Sequence, residues 1–192
     1  MLRLVPSIAL SAVSVFAASL TQAAPVTYVI EGGHTFPYFE YSHHGLSKQM
    51  HRFDKTTGKI VLDREARTGS VEISIDATSV NTGLPLFNQH IQAPDFFNTG
   101  AYPTITFKST KVVFDGDRPV SLEGDLTMKG VTKPVTLTLT HFVTKPHPMA
   151  KREALGANAV GQVKRSDFNM GKYVPNVSDD VALTIAVEAI KE

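Results

Sequence analysis

Not one of the 192 residues is cysteine. That excludes disulfides, thiolate metal sites and cysteine nucleophiles together, so an exported form of this chain must be held by packing and hydrogen bonds alone. Excess charge of either sign is also missing. Nineteen Lys and Arg stand against 18 Asp and Glu, and a balanced surface gives no electrostatic reason to expect nucleic acid or an anionic membrane as partner. The chain has no Gly-x-Ser-x-Gly elbow, no phosphate-cradling glycine loop ending in Lys-Ser/Thr and no His-Glu-x-x-His helix, which speaks against several common enzyme classes. Helical periodicity is scarce, and only the N-terminus carries an apolar run long enough to consider for a bilayer.

That run has the layout of a secretory leader. Arg3 precedes an apolar and small-residue stretch from Leu4 to Leu20, interrupted by Pro6, and the exit is small and polar at Thr21, Gln22 and Ala23. Cleavage of residues 1–23 is expected, with the cut between Ala23 and Ala24 and a periplasmic or secreted product. Residues 24–192 then form one domain with enough chain for a real core. Losing Arg3 leaves its cations and anions balanced.

Period-two alternation fills most of this domain. "SVEISID" sets Val71, Ile73 and Ile75 against Glu72, Ser74 and Asp76, and "KPVTLTLTHF" sets Val135, Leu137 and Leu139 against Thr136, Thr138 and Thr140; each reads as a half-buried strand. "PVSLEGDLTM" and "SDDVALTIAVEAI" repeat the pattern, with turns at "KTTGK", "DGDRP" and "KGVTKP" between them. About eight antiparallel strands follow, as a sandwich or a closed barrel. A short helix is expected near residues 85–92, where Leu86, Phe87 and Ile91 have helical spacing, and an irregular basic loop from Lys145 to Gly156.

Three groups of side chains invite a functional reading. The histidines His34, His43, His44 and His51 fall in one expected hairpin, in which His43 and His51 are expected to approach across Gly45 while His44 points away; zinc or copper binding and redox chemistry are the functional readings, although no carboxylate completes the site. Arg165, with Asp167, Phe168 and Lys172 in "VKRSDFNMGKY", reads either as a structural Arg–Asp pair or as a cation for a phosphate or quinone head group. The aromatics form the third group: Phe39, Tyr41 and His43 expected to face inward on one strand, Phe96 and Phe97 in a loop, and Phe107 beyond it. Core filling is the default for such rings, but a barrel of about eight strands also has room for a slender ligand.

Several stretches together resemble the YceI-like family of exported, lipocalin-like proteins: His34-x-Phe36, "HHG" at His43 to Gly45, "GSVEISIDATSVNTG", "HIQAPDFFNTGAYPTITFKST", "GDLTMKGVTKPVTLTLT" and "KRSDFNMGKYVPNVSDDVALTIAVEAIK". The resemblance runs from about Tyr28 to Glu192. It implies an all-β, extended antiparallel lipocalin-like barrel over residues 24–192, with a tunnel for an isoprenoid lipid such as a polyprenyl phosphate or a quinone. Two residues depart from the family pattern. His51 stands where glycine is common and His44 where an apolar residue is common.

On this reading the protein is not an enzyme and carries no cofactor beyond a bound polyisoprenoid or quinone. The residues expected to face the ligand are Phe39, Tyr41, His43, Phe96, Phe97 and Phe107, with Leu126, Met128, Leu137, Leu139, Arg165 and Phe168. A homodimer, and a transient contact with a membrane or a lipid-handling enzyme, are compatible with the resemblance. The alternatives are a metal-binding or redox protein using the His34–His51 cluster, and a stress-response scaffold whose partner is a protein.

Overall fold

The structure, a computed structural model, describes residues 24–192; the expected leader lies outside the described residues. Eleven strands form one antiparallel sheet: β1 (Val26–Ile30), β2 (Phe36–His43), β3 (Ser47–Phe53), β4 (Thr56–Asp63), β5 (Thr68–Asp76), β6 (Val80–Asn81), β7 (Thr104–Asp115), β8 (Arg118–Met128), β9 (Val131–Pro146), β10 (Glu153–Lys164) and β11 (Asp180–Lys191). One α-helix, α1 (Pro85–Ile91), lies between β6 and β7. It is where helical spacing placed it, and Pro85 opens it at a position where the missing N–H costs nothing.

The register shows why eleven strands make a barrel of eight staves. Along β11, Ala189–Lys191 pair with β1 and Ala182–Ala186 with β2, so β1 and β2 lie end to end as one bent stave. β4 and β3 continue this arrangement against β1 and β2, and β5 and β6 against β4 and β3. With β7 to β11 added, the staves run alternately up and down, and the β1–β11 pairing closes the sheet. Closure leaves no edge along the wall except at the two-residue β6, which pairs with β3 alone, and this suits a chain without disulfides.

Inward positions follow the alternation: Ile60 and Leu62 on β4, Val71 and Ile75 on β5, Val135 and Leu137 on β9, all buried. One inward glycine is sterically required. A Cβ at Gly124 would stand 2.5 Å from Phe107 Cζ, so the β8 backbone makes room for a ring that β7 turns inward. The irregular region is shorter than expected: β9 runs to Pro146 and β10 resumes at Glu153, leaving only residues 147–152 as loop. Cross-strand pairing of Glu153 with Pro146 and Ala154 with Lys145 extends the ladder through sequence that proline and basic residues had marked as a break.

The two ends of the barrel differ. At one end lie the β2–β3 turn, the β6–β7 connection with α1, the β8–β9 turn and the long β10–β11 connection; at the other lie the β4–β5, β7–β8 and β9–β10 turns. Buried residues divide accordingly into a cluster toward the α1 end, around Phe39, Phe53 and Phe97, and a second around Leu62, Phe107 and Leu155.

Candidate functional site

The barrel is not packed solid. It encloses a cavity of about 320 Å³, within the range of small-molecule sites. On β11 alone Val181, Leu183, Ile185 and Val187 line it, so it follows that stave for roughly 20 Å at about 3.3 Å per residue. Its wall is overwhelmingly aliphatic and aromatic.

Polar groups on the wall are mostly engaged with the protein itself. Thr35 Oγ1 donates to the Glu188 carbonyl at 3.0 Å and accepts from the Glu188 N–H at 3.0 Å. Tyr41 Oη lies 3.1 Å from His51 Nε2. Arg165 donates from Nε to Ser178 O at 2.9 Å, from Nη1 to Met170 O at 2.9 Å and Lys172 O at 3.2 Å, and from Nη2 to Val177 O at 2.9 Å. Burial lowers the Arg165 pKa from its ordinary value, against the opposing fields of Asp179 and Tyr41. Two buried side-chain atoms have no partner among the described residues, Thr56 Oγ1 and His51 Nδ1.

Arg165 therefore clamps the β10–β11 connection. Its expected pairing with Asp167 is not formed; the donors go to four backbone carbonyls, because the chain from Ser166 to Ser178 wraps around the guanidinium. Asp179, the nearest carboxylate in electrostatic terms, accepts instead from the backbone and hydroxyl of Ser166 at 2.8 and 2.6 Å. Lys172 pairs with Asp95 across the end of the barrel.

The cavity reaches solvent at one end. Among the described residues, those that both line it and stand exposed are His43, His90 and Tyr173, and all three belong to the α1 end. His90 stacks on Phe87 at 5.7 Å and meets Phe96 at 5.0 Å, and Phe96 lies 6.2 Å from Tyr173. Phe96 thus forms part of the rim. Phe97 turns the other way, wedged 5.8 Å from Phe39 and 5.3 Å from Phe53. The adjacent rings divide two tasks: one borders the mouth, and the other fills the base of the loop beneath it.

Phe39, Tyr41, His43, Phe96, Phe97 and Phe107 all lie on the cavity wall, as do Leu126, Met128, Leu137, Leu139 and Arg165. Phe168 does not; at 1% exposure it is buried behind the wall, in the same cluster as the wall residues Met128 and Met170. The sequence reading passed over His90 and Tyr173. Neither sits in an alternating segment, and only the closure of two distant connections brings them to one opening.

The histidines do not assemble. The β2–β3 turn pairs residues equidistant from Gly45, so His43 faces Ser47 and His51 faces Phe39; the expected approach of His43 to His51 is not formed. The His43 ring instead lies 4.4 Å from that of His44, while His51 is buried against Tyr41, Phe39 and Phe87. His34 sits outside the cavity with Glu31, Nδ1 to Oε2 at 2.6 Å, and with Glu188 forms the group of described residues close enough to share a metal ion. That Glu–His pair accounts for the raised His34 pKa and the lowered Glu31 pKa.

A closed up-and-down barrel around an apolar cavity with one opening is a barrel of the lipocalin-like fold class. The chain belongs to the YceI family: the family model described as YceI-like domain matches residues 28–189. It is 35% identical over 178 residues to Protein YceI of Escherichia coli O157:H7, covering 92% of each chain. The Campylobacter jejuni YceI protein superposes with a TM-score of 0.66 at 28% identity, over 79% of this chain and 89% of the other. A polyisoprenoid-binding domain from Saccharophagus degradans shares the fold, with a TM-score of 0.64 at 18% identity over 86% of this chain and 98% of that one.

Proposed function

We propose that the protein binds one long isoprenoid lipid, a polyprenyl phosphate or a quinone-type lipid, and carries or stores it without chemical change. The observation that carries this reading is the cavity: long, almost wholly apolar and open at one end. Such a space favours a hydrocarbon chain, at about 25 cal/mol per Å² of apolar surface removed from water before ordering costs. Membership of the YceI family and the likeness in fold to a polyisoprenoid-binding domain support the isoprenoid choice.

The head group belongs at the mouth. Inside, Thr35, Tyr41 and Arg165 are held by protein partners, and burying a polar or charged head there without new hydrogen bonds would be costly. At the opening, His43, His90 and Tyr173 offer exposed polar atoms. Arg165, read from the sequence either as a structural cation or as one for a head group, has its donors on four backbone carbonyls of the β10–β11 connection, which favours the structural role. No part of this reading uses the Glu31–His34–Glu188 group. Export to the periplasm or the medium, after loss of residues 1–23, belongs to the same proposal and places the protein where membrane lipids are its neighbours.

The test is to purify the processed protein from a periplasmic preparation, extract it with organic solvent and identify what is released. One prenyl species at about one per chain is the expected result. Protein free of lipid, and unable to take up added polyprenyl phosphate or ubiquinone, would overturn the proposal.

A further inference from the structure

Exposed apolar side chains crowd around the mouth. Leu46 is 85% exposed at the β2–β3 turn, Leu84 and Leu86 are 57% and 73% exposed at and beside the start of α1, and Tyr173 and Val174 are 51% and 42% exposed in the β10–β11 connection. These three tips are neighbours. The His44 N–H donates to the Asn176 carbonyl at 2.7 Å, and the ring series Phe87, His90, Phe96, Tyr173 joins α1 to the same connection.

Their sequences share a second property. Residues 41–47, 83–94 and 173–178 contain no Asp, Glu, Lys or Arg, whereas the far-end turns read Arg64-Glu65-Ala66-Arg67, Asp115-Gly116-Asp117-Arg118 and Lys151-Arg152. The α1 end is not without charge, since Lys129 lies in its β8–β9 turn and Lys172 pairs with Asp95 beside these segments, but the three apolar tips themselves can leave water without burying a formal charge, and the far-end turns cannot.

We propose that the α1 end is a membrane-docking face: Leu46, Leu86 and Val174, with their neighbours, insert into a lipid bilayer and place the cavity mouth against it. This deepens the proposed function and rests on it. A chain that prefers an apolar cavity has no favourable path through water, and the opening it must use lies among the uncharged apolar tips. The tips belong to three separate connections, β2–β3, β6–β7 and β10–β11, and their freedom from formal charge is what entry into a bilayer interior requires. Tyr173 at the rim has the amphipathic character that residues favour at the membrane–water interface.

The experiment is flotation of the processed protein with vesicles of phosphatidylethanolamine and phosphatidylglycerol, comparing wild type with the triple variant Leu46→Ser, Leu86→Ser, Val174→Ser. None of these three residues lines the cavity, so uptake of ubiquinone from detergent should be unchanged, and this also verifies folding. Vesicle partitioning should fall at least about tenfold, given three apolar side chains lost from the buried face. Met149→Ser, changing an 81% exposed residue at the far end, should leave partitioning at the wild-type level.

Equal partitioning of wild type and triple variant overturns the proposal, as does a wild type that ignores vesicles. A wild-type dimer that the triple variant dissociates, with no vesicle binding, assigns the tips to a second copy and overturns it too. A protein that takes up lipid but ignores vesicles refutes only the docking face. One that docks but takes up no lipid refutes the proposed function.

Discussion

Phe97 is 8% exposed and touches Phe39 and Phe53 below the mouth, so Phe97→Ala removes a buried ring at a site with little means of collapse. The expected cost is about 3–5 kcal/mol of stability, read from urea denaturation. Arg165→Met keeps the apolar stem and strips the four carbonyls of their donor. The expected cost is on the order of 3 kcal/mol, with hydrogen exchange accelerated from Ser166 to Ser178 and little change in the strands. His51 gives a pH signature. Burial lowers its pKa from the ordinary 6.5, so as pH falls below 6.5 the unfolded chain takes a proton that the folded chain refuses, and stability falls until the folded-state value is reached. Replacing the ring by His51→Leu should flatten the melting temperature between pH 7 and pH 5 relative to wild type.

At the level of elements, alternation told which face of each strand turns inward. It put Phe39, Tyr41 and His43 on one wall of the cavity and Leu137 and Leu139 on another, because the side-chain period of a strand is fixed by its backbone. Register was not legible in the same way. That Gly45 centres the β2–β3 turn, and so separates His43 from His51, depends on backbone geometry: His44 and Gly45 both adopt positive φ, 54° and 68°. The splitting of three staves into bent pairs depends on contacts between segments far apart in sequence. The mouth was hidden for the same reason, since His90 and Tyr173 meet only when two loops close. One substitution on an element tests the cavity itself. Ala157 lines it from the middle of β10, so Ala157→Phe should obstruct the channel, reducing uptake of long prenyl chains far more than short ones while the melting temperature stays near wild type.

The whole molecule is a tube with unlike ends. Closure secures the fold without disulfides around an apolar cavity; charged turns lie at one end, while aromatic rings and two long connections frame the other. Outward positions such as Thr136, Thr138 and Thr140 are exposed and polar, while apolar side chains line the cavity and gather at its open end. The most direct test of this account is native mass spectrometry of the processed protein mixed with prenyl quinones of increasing chain length. A single adduct per protein, with occupancy rising with length and then levelling once the chain outgrows the cavity, is the predicted result. Binding that ignores chain length, or no adduct at any length, would contradict an apolar tunnel that takes the tail and leaves the head at the mouth.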